Sequence, residues 1–109
     1  MLNINKVKDG TTLTISIEGR LDTTTAPQLE NVVNVEIEGA SELIYDLKAL
    51  DYISSAGLRV LLSSQKVMNK QGSMIVKNVS EEVLEIFEVT GFSDIFTIEW
   101  LIGSCIKAF

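Results

Sequence analysis

The sequence contains no histidine among its 109 residues. Histidine is the commonest general base near neutral pH, the commonest metal ligand, and a member of the Ser-His-Asp and Cys-His arrangements that activate nucleophiles. The chain therefore lacks a residue that most hydrolytic and zinc-dependent enzymes need. We expect a protein that is not an enzyme, with no catalytic residue, no metal site and no cofactor.

Cysteine and proline each occur once. Cys105 cannot form an intramolecular disulfide, and a lone cysteine near an apolar C-terminus is more often a packing residue than a reactive one. The single Pro27 argues against a long flexible linker. The sequence also lacks an apolar run of roughly 18 residues and a signal-peptide-like apolar segment after Met1. We therefore expect a cytoplasmic protein that does not insert into membranes.

Positive charge is scarce, with 9 Lys and Arg against 15 Asp and Glu and a formal net charge of −6. Nucleic-acid binders gain most of their affinity by neutralising phosphates, so we expect no nucleic-acid partner. The balance suits solubility or docking on a basic protein surface. With 46% hydrophobic residues and no repeat, the chain can build one core, and we expect a single domain over residues 1–109.

Strands are predicted wherever apolar residues alternate or form short runs. The alternation in "TTLTISIEG" predicts a half-buried strand, "LNINKV" predicts a weaker one, and Asp9-Gly10 between them suits a hairpin turn. The short apolar runs "ELIYDL" and "SMIVKNV" are typical of strands covered on both faces. "IFTIEW" predicts an edge strand, and a short apolar helix is expected after it.

Three helices are predicted between these strands. In the first, Thr25 and Gln28 have the spacing of a capping box and Pro27 suits the first turn. The second begins near Ala56, and the third has the features of a helix that starts at the N-cap Ser80. Strands that alternate with helices predict an α/β fold, with a mixed, mostly parallel sheet of four to five strands and helices packed on it.

The stretch "DYISSAGLRVLL" places two serines where a strand-like run becomes a helix. In sheets of this kind, functional groups gather beyond the carboxyl ends of the strands. A serine at a helix start tolerates a phosphate well, because unpaired backbone N–H groups and the helix dipole favour negative charge there. On the spacing alone, ordinary helix caps are the commoner explanation for these serines. The spacing matches neither the G-x-S-x-G elbow nor a phosphate-binding P-loop.

The motif "LKALDYISSAGLRVLL" surrounds the two serines, and "IEGRLDTTTAPQLE" spans a predicted strand-to-helix loop. Together they resemble the two signatures of the STAS domain family, typified by bacterial anti-sigma-factor antagonists, and the first of these signatures surrounds the family's phosphorylatable serine. "LIYDL" resembles the central strand and "VTGFSDIF" the end of the third helix. The resemblance covers nearly the whole chain, although "WLIGSCIKAF" fits the family's last helix poorly.

By position, the resemblance implies that Ser55 is the phosphoacceptor. Ser54 stands where many members carry Asp, so a kinase has two adjacent hydroxyls to choose from. The resemblance also places Asp46 close to the phosphorylated serine. The residues expected to contact a partner protein are Asp22, Thr23, Asp46, Ser54, Ala56, Gly57, Leu58 and Arg59. Simpler roles remain open for some of them: a turn residue for Asp22, a satisfied strand-end acid for Asp46 and a solvated side chain for Arg59.

The function implied by this resemblance is a switch controlled by phosphorylation. The unphosphorylated domain binds an anti-sigma factor that is also a serine-protein kinase, which frees a sigma factor, and a PP2C-type phosphatase resets the modified form. A rival hypothesis is a constitutive STAS scaffold in a lipid-transport or sensor complex, which needs no phosphate cycle. A second rival is a small-ligand or nucleotide-binding module, against which the missing glycine-rich phosphate loop counts.

Overall fold

The computed structural model describes residues 2–96 and 98–100, and the helix expected after the last predicted strand lies outside them. The described residues form six strands, three α-helices and a 3-10 turn at Phe92–Asp94. In chain order, the elements are β1 Leu2–Asp9, β2 Thr12–Leu21, α1 Ala26–Glu36, β3 Glu42–Asp46, β4 Leu50–Ile53, α2 Ser55–Gln71, β5 Ser73–Val79, α3 Glu81–Thr90 and β6 Ile98–Trp100.

The strands form one mixed sheet in the order β1-β2-β3-β5-β6, with β4 off this path and paired with β2. β1 and β2 are antiparallel, whereas the other strand pairs of the described sheet are parallel. The predicted α/β fold, with a mixed and mostly parallel sheet, is therefore confirmed. The edge strand predicted in "IFTIEW" is also confirmed, because β6 pairs with β5 at the end of the order.

The strand-like run before the two serines forms a separate strand, β4, which was not among the predicted strands of the sheet. Its four residues pair with the end of β2, where Ile53 lies opposite Leu21. Leu50 and Ile53 are buried, but the two residues between them are exposed. Neither strict alternation nor an unbroken apolar run marks this strand in the sequence. β4 leads directly into α2 and so places the start of that helix beside the carboxyl end of β2.

The hydrophobic core lies between one face of the sheet and the helices. Leu13, Ile15 and Ile17 of β2 are at most 1% exposed, as their alternation predicts. Tyr45 of β3 is fully buried, and its hydroxyl lies 2.7 Å from the Oγ of Ser64 on α2. This contact identifies the sheet face that α2 covers. None of the helices within the described ranges combines the length and the apolar composition that a membrane span requires.

One predicted turn and one predicted helix cap are confirmed. The hairpin between β1 and β2 pairs Asp9 with Thr12, and its first turn residue, Gly10, has a φ of +63°. Such a left-handed conformation favours glycine. The Ser80 hydroxyl accepts a hydrogen bond from the Val83 N–H over 3.3 Å and caps α3.

The capping box predicted at Thr25 and Gln28 is wrong. The Thr25 hydroxyl makes no capping hydrogen bond to α1. It donates to the Arg20 carbonyl over 2.9 Å and accepts from the Asp22 N–H over 2.8 Å. Thr25 therefore closes the loop between β2 and α1, because its hydroxyl finds partners in that loop rather than in the helix.

Candidate functional site

The two adjacent serines have different roles at the start of α2. Ser54 is the N-cap: its Oγ accepts a hydrogen bond from the Gly57 N–H over 3.4 Å, and its own N–H donates to the Leu21 carbonyl over 2.8 Å. Ser55 is the first helical residue and is exposed. Its hydroxyl makes no hydrogen bond within the described part of the chain. The cap role and the free hydroxyl therefore belong to different serines.

Gly57 brings α2 close to the sheet. A Cβ atom at this position would lie 2.7 Å from Cγ of Leu21 and 2.9 Å from Cγ1 of Ile53, closer than real contacts allow. The next residue, Leu58, is only 2% exposed. Gly57 and Leu58 are both buried, so they offer little surface for the partner contact predicted for them. They support the serines by packing the first turn of α2 against β2 and β4.

Asp22 organises the loop that precedes α1. Its Oδ1 accepts hydrogen bonds from the Thr24 N–H over 3.0 Å, the Thr24 hydroxyl over 2.8 Å and the Thr25 N–H over 3.2 Å. The hydrogen bond from the Thr24 hydroxyl, with those from the two backbone N–H groups, holds the pKa of Asp22 below its usual value, although partial desolvation opposes this. The turn role left open for Asp22 is therefore present, and the carboxylate is charged at neutral pH.

A shallow depression of about 230 Å³ lies between this loop and α2. Thr23 from the loop and Ala56 and Arg59 from α2 line it together with residues of α1. Ser55 precedes Ala56 and is exposed at the start of the same helix. We call Thr23, Ser55, Ala56 and Arg59 the Ser55 surface. The structure thus brings together several of the residues that were predicted to contact a partner.

Asp46 lies elsewhere. Side chains alternate along a strand, and the neighbouring Tyr45 faces α2, so Asp46 faces the opposite side of the sheet. Its Oδ1 accepts hydrogen bonds from the Lys48 N–H and from the Asn78 side-chain amide, both over 3.0 Å. It also lines a separate depression with Ser16 on β2. Asp46 thus lies on the sheet face that α2 does not cover, and the role of a satisfied strand-end acid fits its contacts.

Comparison with known proteins identifies the family that this geometry belongs to. Residues 3–104 match the family model of the STAS domain. The chain belongs to the STAS domain family. It is 31% identical over 98 residues to a Bacillus subtilis protein named anti-sigma-B factor antagonist, a match covering 89% of this chain and 90% of that protein.

Solved structures share the fold of this STAS domain. An anti-sigma factor antagonist from Mycobacterium paratuberculosis superposes with a TM-score of 0.83 at 21% identity, covering 99% of this chain and 93% of that one. The Bacillus cell fate determinant SpoIIAA in its phosphorylated form superposes with a TM-score of 0.72 at 17% identity, covering 96% and 97% of the two chains. The resemblance noted from the sequence motifs is therefore confirmed.

This STAS domain carries a formal net charge of −6 and contains two arginines, Arg20 near the end of β2 and Arg59 in α2. Arg59 is exposed on α2 and makes neither an ion pair nor a side-chain hydrogen bond with any described residue. Within residues 2–96 and 98–100, no group of three or more His, Cys, Asp or Glu side chains is placed to hold a metal ion.

Sequence reasoning missed one contact beside the site. The guanidinium carbon of Arg20 lies 4.5 Å from the centre of the Tyr52 ring, a cation–π arrangement. Tyr52 is 37% exposed, so the stack reaches the surface next to the serines. The contact depends on the pairing of β2 with β4, which sets Arg20 opposite Tyr52. The sequence carried no signal for the stack because the pairing of β4 with β2 was not predicted.

Proposed function

We propose that this chain is an anti-sigma-factor antagonist that is switched by phosphorylation of Ser55. Without the phosphate, its Ser55 surface binds an anti-sigma factor and thereby frees a sigma factor. The observation that carries the proposal is the exposed, unengaged Ser55 hydroxyl at the start of α2. The B. subtilis relative named as an anti-sigma-B factor antagonist supports the partner class. The phosphorylated form of SpoIIAA supports the modification in a protein of the same fold.

The choice of Ser55 over Ser54 follows from their hydrogen bonds. A kinase must reach the hydroxyl oxygen and transfer a phosphoryl group to it. The Ser54 side chain is half-buried and its oxygen is engaged by the Gly57 N–H, which a kinase would have to displace to reach it, whereas Ser55 is exposed and makes no described hydrogen bond. Phosphorylation of Ser55 therefore changes the surface without disturbing the fold below it.

The partner in this proposal is an anti-sigma factor that also acts as an ATP-dependent serine-protein kinase. A bond forms between Ser55 Oγ and the γ-phosphorus of ATP, the bond from that phosphorus to the β-phosphate oxygen breaks, and ADP leaves. The hydroxyl proton passes to a base of the kinase. A PP2C-type phosphatase then hydrolyses the phosphoserine with water and releases inorganic phosphate. The STAS domain supplies the substrate hydroxyl and catalyses neither step.

The phosphate weakens binding because it adds about −1.5 to −2 charges to the middle of the contact surface. Charge that is buried without a partner, or placed against like charge, costs several kcal/mol, and each ~1.4 kcal/mol lowers affinity about tenfold. We therefore expect affinity for the anti-sigma factor to fall by at least about tenfold on phosphorylation.

The test compares three variants in binding to the anti-sigma factor of the same host, measured by calorimetry. Ser55→Ala should bind as the unphosphorylated parent does, even in the presence of ATP, and Ser55→Asp should bind weakly. Ser73→Asp is the matched control, because Ser73 is exposed at the first residue of β5, at the opposite end of the sheet from the serines. Equal affinity of Ser55→Asp and Ser73→Asp would overturn the proposal and favour a constitutive scaffold.

A further inference from the structure

Arg59 is placed to meet a phosphate on Ser55. The two residues are four apart in α2, a spacing that puts their side chains next to each other on the helix surface. Both are exposed. Arginine presents a planar set of N–H donors that matches phosphate oxygens two at a time.

No described carboxylate forms an ion pair with Arg59, so its guanidinium group is available to bind a phosphate. Glu30 of α1 lines the same depression, but none of its oxygens lies within 4.0 Å of the guanidinium nitrogens. Oδ1 of Asp22 accepts hydrogen bonds from Thr24 and Thr25, and the carboxylate forms no ion pair with Arg59. Asp51 lies on β4, before the start of α2, and forms no ion pair with Arg59. Arg20, the other arginine, is stacked on an aromatic ring.

We propose that phosphorylated Ser55 captures Arg59 in an ion pair within α2, and that this pair changes what the Ser55 surface offers to a partner. The inference rests on the proposed phosphorylation of Ser55. Before modification, the surface presents a free guanidinium group beside a neutral hydroxyl. Afterwards, the guanidinium is held against the phosphate and the surface carries net negative charge. A partner that uses Arg59 therefore loses that contact as well as meeting an added charge.

The first test measures the second ionisation of the phosphate. Phosphoserine is installed at position 55 of the full chain by genetic encoding, and the phosphorus NMR signal is titrated with pH. A nearby positive charge favours the dianion and lowers the phosphate pKa. Arg59→Gln should therefore raise this pKa by about 0.3 units, the equivalent of one helical i,i+4 ion pair. Arg59→Lys should keep part of the effect, because lysine retains the charge but not the paired donors.

The matched control is Lys66→Gln, which removes the same charge from an exposed position further along the same helix. Ser55 and Lys66 are eleven residues apart, or about 16 Å along the helix axis, beyond the screening length of salt at physiological strength. Its phosphate pKa should match that of the parent. If Arg59→Gln also matches the parent, the ion pair does not form and the inference is wrong.

A second readout uses the chain's two arginines. Their Nε–H groups give two signals in a nitrogen–proton spectrum, and Arg59→Gln assigns them by removing one. Phosphorylation should shift the Arg59 signal strongly and the Arg20 signal little. Equal shifts, or a shift of Arg20 alone, would contradict capture by Arg59. Neither readout needs a partner or a kinase, so failure of the ion pair leaves the proposed switch standing, and failure of the switch leaves the ion pair standing.

Discussion

Alanine substitutions of the two adjacent serines should separate stability from switching. Ser54→Ala removes the cap hydrogen bond from the Gly57 N–H, whose 3.4 Å length is near the limit for such a bond. An N-cap serine contributes about 0.5–2 kcal/mol, so the lower part of that range, about 0.5–1 kcal/mol, is the expected loss. Ser55→Ala removes no described hydrogen bond. Because alanine favours helix more than serine does, its effect should lie between zero and about 0.5 kcal/mol of added stability.

Urea unfolding followed by far-ultraviolet circular dichroism measures both effects. Ser80→Ala is the matched control, because the Ser80 hydroxyl caps α3 through a similar bond of 3.3 Å. Ser54→Ala and Ser80→Ala should lose comparable free energies of unfolding, while Ser55→Ala should lose none. A loss in Ser55→Ala as large as that in Ser54→Ala would refute the assignment of the cap to Ser54 and of the free hydroxyl to Ser55.

Three further substitutions test the surroundings of the site. Gly57→Ala should destabilise the fold by about 1–3 kcal/mol in urea unfolding, since the new methyl group overlaps Leu21 and Ile53; unchanged stability would show that the close packing is not required. Asp22→Asn should flatten the acid side of the profile of unfolding free energy against pH. The hydrogen bond from the Thr24 hydroxyl holds the pKa of Asp22 in the folded state below its usual value, so its contribution to stability is present above the usual pKa and is lost as the pH falls through the folded pKa. The same acid transition in parent and variant would contradict this. Tyr45→Phe should lower the free energy of unfolding by about 1 kcal/mol, because it removes the buried hydrogen bond to Ser64, and a neutral result would show that Ser64 is satisfied by the Val60 carbonyl alone.

Much of the fold was predictable because several of its strands and helices have apolar residues at regular spacing. The alternation of Leu13, Ile15 and Ile17 predicts both the strand β2 and its buried face. β4 escaped prediction because only two of its four residues are buried and they do not alternate. The capping box failed at Thr25 because a hydroxyl at a helix start has competing partners, and here the loop carbonyl of Arg20 is one of them.

The candidate site was predictable in its position but not in its details. The motif located the serines at the start of α2, yet only the backbone shows that Ser54 is the cap and Ser55 the first helical residue. Leu58 and Leu61 are three residues apart in α2 and both are buried, so the helical spacing of these leucines indicated a core position for Leu58. The position of Asp46 depends on which sheet face α2 covers, and the Tyr45 contact settles that only in three dimensions.

The most direct test of the account is phosphopeptide mapping of the protein from its native host, during growth and under stress. Fragment ions that separate the two adjacent serines assign the phosphate. We expect a phosphate on Ser55 whose occupancy changes with condition, and none on the capping Ser54. A phosphate on Ser54, or no phosphate under any condition in which the protein is present, would contradict it.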